Sequence, residues 1–102
     1  MKKILFAFLA TIIAISGCIS QKDSDLATAT CIEKCREVLN VGEDLSNGPC
    51  LSNEIIKDWV CDVAHSPRQT VDNLPQNQCS SYRITAMHFV EVDPQCNLIK
   101  IV

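Results

Sequence analysis

The familiar signatures of enzyme classes are missing from this 102-residue chain. It has no Gly-rich phosphate loop, no His-x-x-x-His pair, no Gly-x-Ser-x-Gly elbow and no Cys-x-x-Cys redox motif. Aromatic side chains are scarce, with one Trp, one Tyr and three Phe. No apolar run is long enough to span a bilayer: residues 4–15, interrupted only by Thr11, fall short of the roughly 20 residues required. Positive charge is also short, giving a formal net charge of -3, which disfavours nucleic acid as a partner. Internal repeats and low-complexity tracts are absent as well.

What is present begins at the N-terminus. Lys2 and Lys3 precede the apolar stretch, and Ile15-Ser16-Gly17-Cys18 closes it. This is the pattern of an export signal with a lipobox: a basic start, a greasy middle of signal length, then small residues beside the cut. The same residues resemble the leader of bacterial and archaeal lipoproteins. That resemblance implies cleavage before Cys18, a lipid on Cys18, and attachment to the outer face of the cytoplasmic membrane. Residues 1–17 are then a signal peptide, 18–29 the lipidated cysteine and a short polar tether, and 30–102 a folded domain. Losing Lys2 and Lys3 leaves seven basic against twelve acidic residues, a formal charge of -5. Such a surface does not grip anionic lipid heads, so the expected membrane contact is the lipid itself.

Assigning Cys18 to a lipid makes the remaining cysteine count even. Cys31, Cys35, Cys50, Cys61, Cys79 and Cys96 in a short exported chain read as three disulfides. Cys31 and Cys35 lie four apart on an expected helix, with Cβ atoms about 5–6 Å apart. A disulfide needs about 3.8 Å between Cβ atoms, so these two should clamp the helix to other elements instead. A metal site built from the same pair with His65 or His88 lacks a second close pair of ligands. No metal and no cofactor are therefore expected.

The spacing predicts a small α+β domain. Thr30 and Glu33 fit a capping box, and Cys31, Ile32, Cys35, Val38 and Leu39 form one apolar stripe, so an amphipathic helix over about 30–40 follows. Gly42 and Asn47-Gly48-Pro49 end it and turn the chain. Ile55, Ile56, Trp59 and Val60 have helical spacing, which favours one helical turn over 52–57 leading into Trp59. Residues 59–64 read as a buried strand with Trp59 in the core, and 66–81 as a long polar loop. Residues 83–92 alternate, and Asp93-Pro94-Gln95 turns the chain into a second strand at 98–102, which predicts a hairpin over 85–92 and 98–102. The helix is expected to pack on a small antiparallel sheet that includes this C-terminal hairpin.

Candidate chemistry concentrates in the stretch from Asp62 through His65, Ser66 and Arg68 to Asp72, with His88 and Glu91 on the hairpin able to join. A strand end carrying an acid, a base, a hydroxyl and a cation can form a site at a sheet edge. His65 could serve as a general base oriented by Asp62 or Asp72, with Arg68 holding an anion. The plainer reading is that His65 bonds loop backbone and that Arg68 and Asp72 order the loop. The segments NGPCLSNEIIKDWVCDVAHSPRQTVDNLPQNQC and HFVEVDPQCNLIKIV resemble a family of small archaeal secreted or lipid-anchored cysteine-rich proteins. The resemblance covers about 30–102 with all six cysteines of the domain, and it brings no established activity, ligand or catalytic residue. Together these readings favour a lipid-anchored extracytoplasmic binding or interaction module of the cell envelope, taking an envelope protein or a small ligand. The alternative is a small envelope hydrolase or lyase that uses His65 with Asp62 or Asp72.

Overall fold

A computed structural model describes residues 19–102; the leader and Cys18 lie outside the described residues. One helix, α1 (Ile19–Asn40), precedes four strands: β1 (Cys50–Ile56), β2 (Trp59–Val63), β3 (His88–Val92) and β4 (Leu98–Ile101). The strands form one sheet in the order β1-β2-β3-β4. This is the expected small α+β domain, and all six of its cysteines are paired.

Helix α1 starts well before the expected position. Residues 19–29 continue the helix upstream, and Thr30 sits inside it instead of capping it. The Thr30 hydroxyl donates to the Leu26 carbonyl at 2.7 Å, four residues back, as mid-helix threonines do. Packing explains the extension. Ala27, Cys31 and Cys35 recur at four-residue spacing and are all fully buried against the sheet. The far end stops as expected. Gly42 takes φ +87°, its N–H reaches the Leu39 carbonyl at 3.0 Å, and the Glu43 N–H reaches the Val38 carbonyl at 3.3 Å. This double bond is a Schellman cap, which needs a residue comfortable in the left-handed region.

The expected helical turn over 52–57 is a strand. β1 and β2 form a hairpin in which Ile56 pairs with Trp59, across a two-residue turn with Asp58 at φ 74°. β-branched Ile55 and Ile56 suit a pleated surface, and pairing with β2 overrides a four-residue helical spacing. The C-terminal hairpin forms as expected, but its first strand starts at His88 instead of residue 85: residues 83–85 lie in a turn with Arg83 at φ 68°. β3 and β4 pair antiparallel, and the Asp93 carboxylate accepts the N–H groups of Gln95 and Asn97, both at 2.9 Å, to close the turn.

The central pair, β2 and β3, runs parallel, with Asp62 beside Glu91 and Val63 beside Val92. The sheet is therefore mixed, with antiparallel ladders on either side of a parallel one. The parallel pairing demands a long crossover, and residues 64–87 supply it. This segment carries two short 3-10 turns, Thr70–Asn73 and Pro75–Asn77, in the region read as a loop. Every residue of β2 is buried. Trp59, Cys61 and Val63 face α1 in the main core with Val90 and Val92, while Val60 packs on the opposite face with Cys79 and Ala86. The crossover thus covers the face that the helix leaves free.

Cys31 bonds Cys61 and Cys35 bonds Cys96, clamping α1 to β2 and to the β3–β4 turn. Cys50 bonds Cys79, tying the start of β1 to the crossover. Cys31 and Cys35 do not pair with each other, in keeping with their helical separation.

Candidate functional site

Between the crossover and the outer face of β2 and β3 lies a cleft of about 150 Å³. Its polar lining is Asp62, Glu91, Arg68 and Gln78; its apolar lining is Val60, Phe89, Tyr82 and the half-cystine Cys79. Period-2 alternation places Val60 and Asp62 on this face of β2, and Phe89 and Glu91 on the same face of β3. Because the parallel register sets Asp62 directly beside Glu91, two carboxyl groups share the floor.

Their surroundings differ. Glu91 is 8% exposed, and its Oε2 accepts from Arg68 Nη1 at 3.0 Å. Asp62 is 9% exposed, and its Oδ1 has no hydrogen-bond partner among the described residues. Burial, and then the neighbouring charge of Glu91, push the Asp62 carboxyl up to about 7, against the opposing pull of Arg68. Arg68 spans the gap between crossover and sheet. Its Nε donates to Asn73 Oδ1 at 2.7 Å and its Nη2 to the Asp72 carbonyl at 3.3 Å. The aromatic wall is ordered too: Tyr82 and Phe89 meet edge to face with centroids 5.1 Å apart, and the Arg83 guanidinium lies 5.5 Å from the Tyr82 ring centroid.

Asp72 and His65 form a second centre next to the cleft. Asp72 is 1% exposed, yet its carboxylate is fully engaged. Oδ2 accepts the backbone N–H groups of His65 and Gln69, each at 2.9 Å, and Oδ1 meets His65 Nδ1 at 2.9 Å. Burial works to raise its proton affinity, but these donors outweigh it and hold the carboxyl below its ordinary value. Gly48 makes this possible. At φ +66°, a Cβ there would overlap Asp72 Oδ1 and press on the Val63 carbonyl at 3.2 Å. Gln78 Nε2 also donates to the Asp72 carbonyl, so one aspartate ties together residues 65–78 of the crossover.

The six candidate residues therefore divide. Asp62 and Arg68 line the cleft; His65 and Asp72 form the adjacent clasp; neither His65 nor Ser66 is part of the cleft wall. Ser66 is exposed and precedes the cis peptide to Pro67. Asp72, not Asp62, orients His65. His88 stands elsewhere: it stacks on Trp59 at 4.6 Å and lies 3.5 Å from Asp58, at the β1–β2 turn. It does not join the cluster, because it starts β3 at the end away from Glu91. The residues that sequence reasoning passed over are Val60, Gln78, Tyr82, Phe89 and Gly48. The alternation of β3 puts Phe89 with Glu91, but only the parallel pairing with β2 brings them to Asp62.

All six described cysteines are in disulfides, and among the described residues no group of three or more His, Cys, Asp or Glu side chains converges to hold a metal ion. Comparison with protein-family models, with curated proteins and with solved structures finds no match.

Proposed function

We propose that this protein is a lipid-anchored module on the outer face of the cell membrane, of the archaeal lipoprotein type, that binds a small ligand in the cleft between the crossover and the sheet. The anchoring half rests on the leader, with Lys2 and Lys3, the apolar run and Ser16-Gly17-Cys18. The pairing of every other cysteine supports it, because an oxidising exterior sustains three disulfides in so small a domain. Among the described residues no helix is long and apolar enough to cross a membrane, and a lipid on Cys18 needs none.

The observation that carries the binding half is the Asp62 carboxyl. It is buried in a concave, partly aromatic site with one oxygen unpartnered by protein. A buried polar group left unsatisfied costs about 1–3 kcal/mol, and a ligand that satisfies it recovers that cost. The test has two arms on the full-length protein. Intact mass spectrometry of membrane-extracted protein should show a chain beginning at Cys18 with added lipid mass. A thermal-shift screen of small molecules should yield a ligand whose effect is lost in Asp62→Asn. An unprocessed chain defeats the anchoring half, and a screen without cleft-dependent hits defeats the binding half.

A second reading is favoured by one specific contact, His65 Nδ1 to Asp72 Oδ1 at 2.9 Å, an oriented imidazole of the kind used in general-base hydrolysis or elimination. Asp72 spends its remaining capacity on backbone N–H groups, which is the behaviour of a loop clasp. His65→Ala separates the two: a clasp loses loop order and stability, whereas a base loses turnover with the fold intact.

A further inference from the structure

The cleft specifies more than a binding event, and what it specifies rests on the binding reading above. Around Asp62 stand Glu91 from β3 and Arg68 and Asp72 from the crossover. Asp72 has its carboxylate oxygens engaged by two backbone N–H groups and His65, and Arg68 is committed to Glu91, Asn73 and the Asp72 carbonyl. The floor therefore holds two carboxyl groups against one guanidinium, and Asp62 is the one without a counter-ion of its own. It is more than nine-tenths buried with Oδ1 unpartnered, at the foot of a wall made by Val60, Phe89 and Tyr82.

We propose that the cleft takes a small organic ammonium ion, its N–H groups on Asp62 and its apolar body along Phe89, Tyr82 and Val60. An anion would lie against two carboxyl groups and would have to draw Arg68 away from three partners. A neutral ligand can satisfy Oδ1 while Asp62 keeps its proton, but it offers no compensating charge once the buried acid is ionised. A cation gains a charge-assisted hydrogen bond to the Asp62 carboxylate, while its apolar body covers the Phe89 and Tyr82 side chains. The excess of acidic residues over the chain draws cations toward the surface.

Proton balance gives the proposal a signature. Burial and Glu91 keep the free Asp62 carboxyl up to about 7, while the bound ammonium requires carboxylate, so binding below that value expels one proton. Affinity should fall by about tenfold per pH unit below it and level off above it.

The probe is phenethylamine, with 2-phenylethanol and phenylacetate as neutral and anionic counterparts, titrated calorimetrically into the full-length protein in detergent. Phenethylamine should bind at least about tenfold more tightly than either counterpart. Binding heats in two buffers of different ionisation enthalpy should report the released proton, a readout that needs no variant. Asp62→Asn should cost at least about tenfold in affinity and abolish the proton release. If the alcohol or the acid binds as well as the amine, the ammonium assignment is wrong while the cleft remains a binding site. Amine binding that survives Asp62→Asn with its pH slope intact would place the amine elsewhere and overturn the proposal. Should none of the three bind, a cleft-dependent hit in the broader screen sinks the ammonium class alone, and an empty screen sinks the binding reading with it.

Discussion

A carboxyl group moved from water to the position of Asp62 loses most of its hydration, and Glu91 beside it adds repulsion, so its proton is held up to about 7 from an ordinary 3.8. The folded state then binds a proton that the unfolded chain has already released over that interval. Stability contributed by the protonated Asp62 is complete below about 3.8 and is lost as pH rises through about 7. At about 1.4 kcal/mol per pH unit, the loss is on the order of a few kcal/mol, large for a domain of this size. Asp72 and Asp93 act in the opposite sense. Burial raises both, but stronger hydrogen bonding holds each below the ordinary value, so their stabilisation is present above 3.8 and fades as pH falls below it. Melting temperature should therefore peak near the lower end of the interval and decline toward neutrality. In Asp62→Asn the decline should flatten, with the variant at least as stable as the parent at about pH 7. Parallel melting curves across that range for the two proteins would show that Asp62 titrates as an ordinary surface acid. The stretch 62–72 was legible as chemically dense from the residue types alone. Its division into a cleft and a clasp was not, because that depends on Gly48 admitting the Asp72 carboxylate and on Glu91 arriving from another strand.

At the scale of elements, what was legible is what local chemistry decides. Gly42 stops α1, Asp93-Pro94-Gln95 turns the C-terminal hairpin, and the β2 segment reads as buried. What was not legible depends on partners distant in sequence. β1 is a strand because β2 pairs with it, and the sheet is mixed because the crossover delivers β3 parallel. The upstream half of α1 is a subtler case. Ala27, buried in this half, is too small to create an apolar stripe, while Leu26 beside it is 54% exposed. Thr30 distinguishes the two placements of the helix start. As an N-cap, replacement by Ala would cost about 1 kcal/mol. Inside the helix, with its hydroxyl turned back to the Leu26 carbonyl, Thr30→Ala should instead be neutral or stabilise by up to about 0.7 kcal/mol. Urea denaturation of the variant measures the sign, and a destabilised Thr30→Ala would return the helix start to residue 30.

For the molecule as a whole, the core is a few valines around Trp59 and Leu45, and covalent cross-links carry what such a core leaves unsupplied. The Cys31–Cys61 and Cys50–Cys79 loops, with separations of 30 and 29 residues, are each worth about 3.6 kcal/mol in the chain-entropy account; Cys35–Cys96, with 61, is worth about 4.3 kcal/mol. These loops overlap, so the values do not add, but any one is comparable to the stability a small domain holds. Full reduction should abolish the folded circular dichroism signal, with a mass gain of six hydrogens for the three bridges. The bridges also divide the labour. Cys35–Cys96 holds α1 to the β3–β4 turn, whereas Cys50–Cys79 pins the crossover beside the cleft. Replacing Cys50 and Cys79 together by Ala should speed amide exchange over residues 66–82 and leave α1 protected. Replacing Cys35 and Cys96 should do the reverse, because the helix then keeps only the Cys61 tether. Uniform loss of protection in both double variants would mean that helix, sheet and crossover open as one cooperative unit, and that the cleft cannot be loosened without melting the domain.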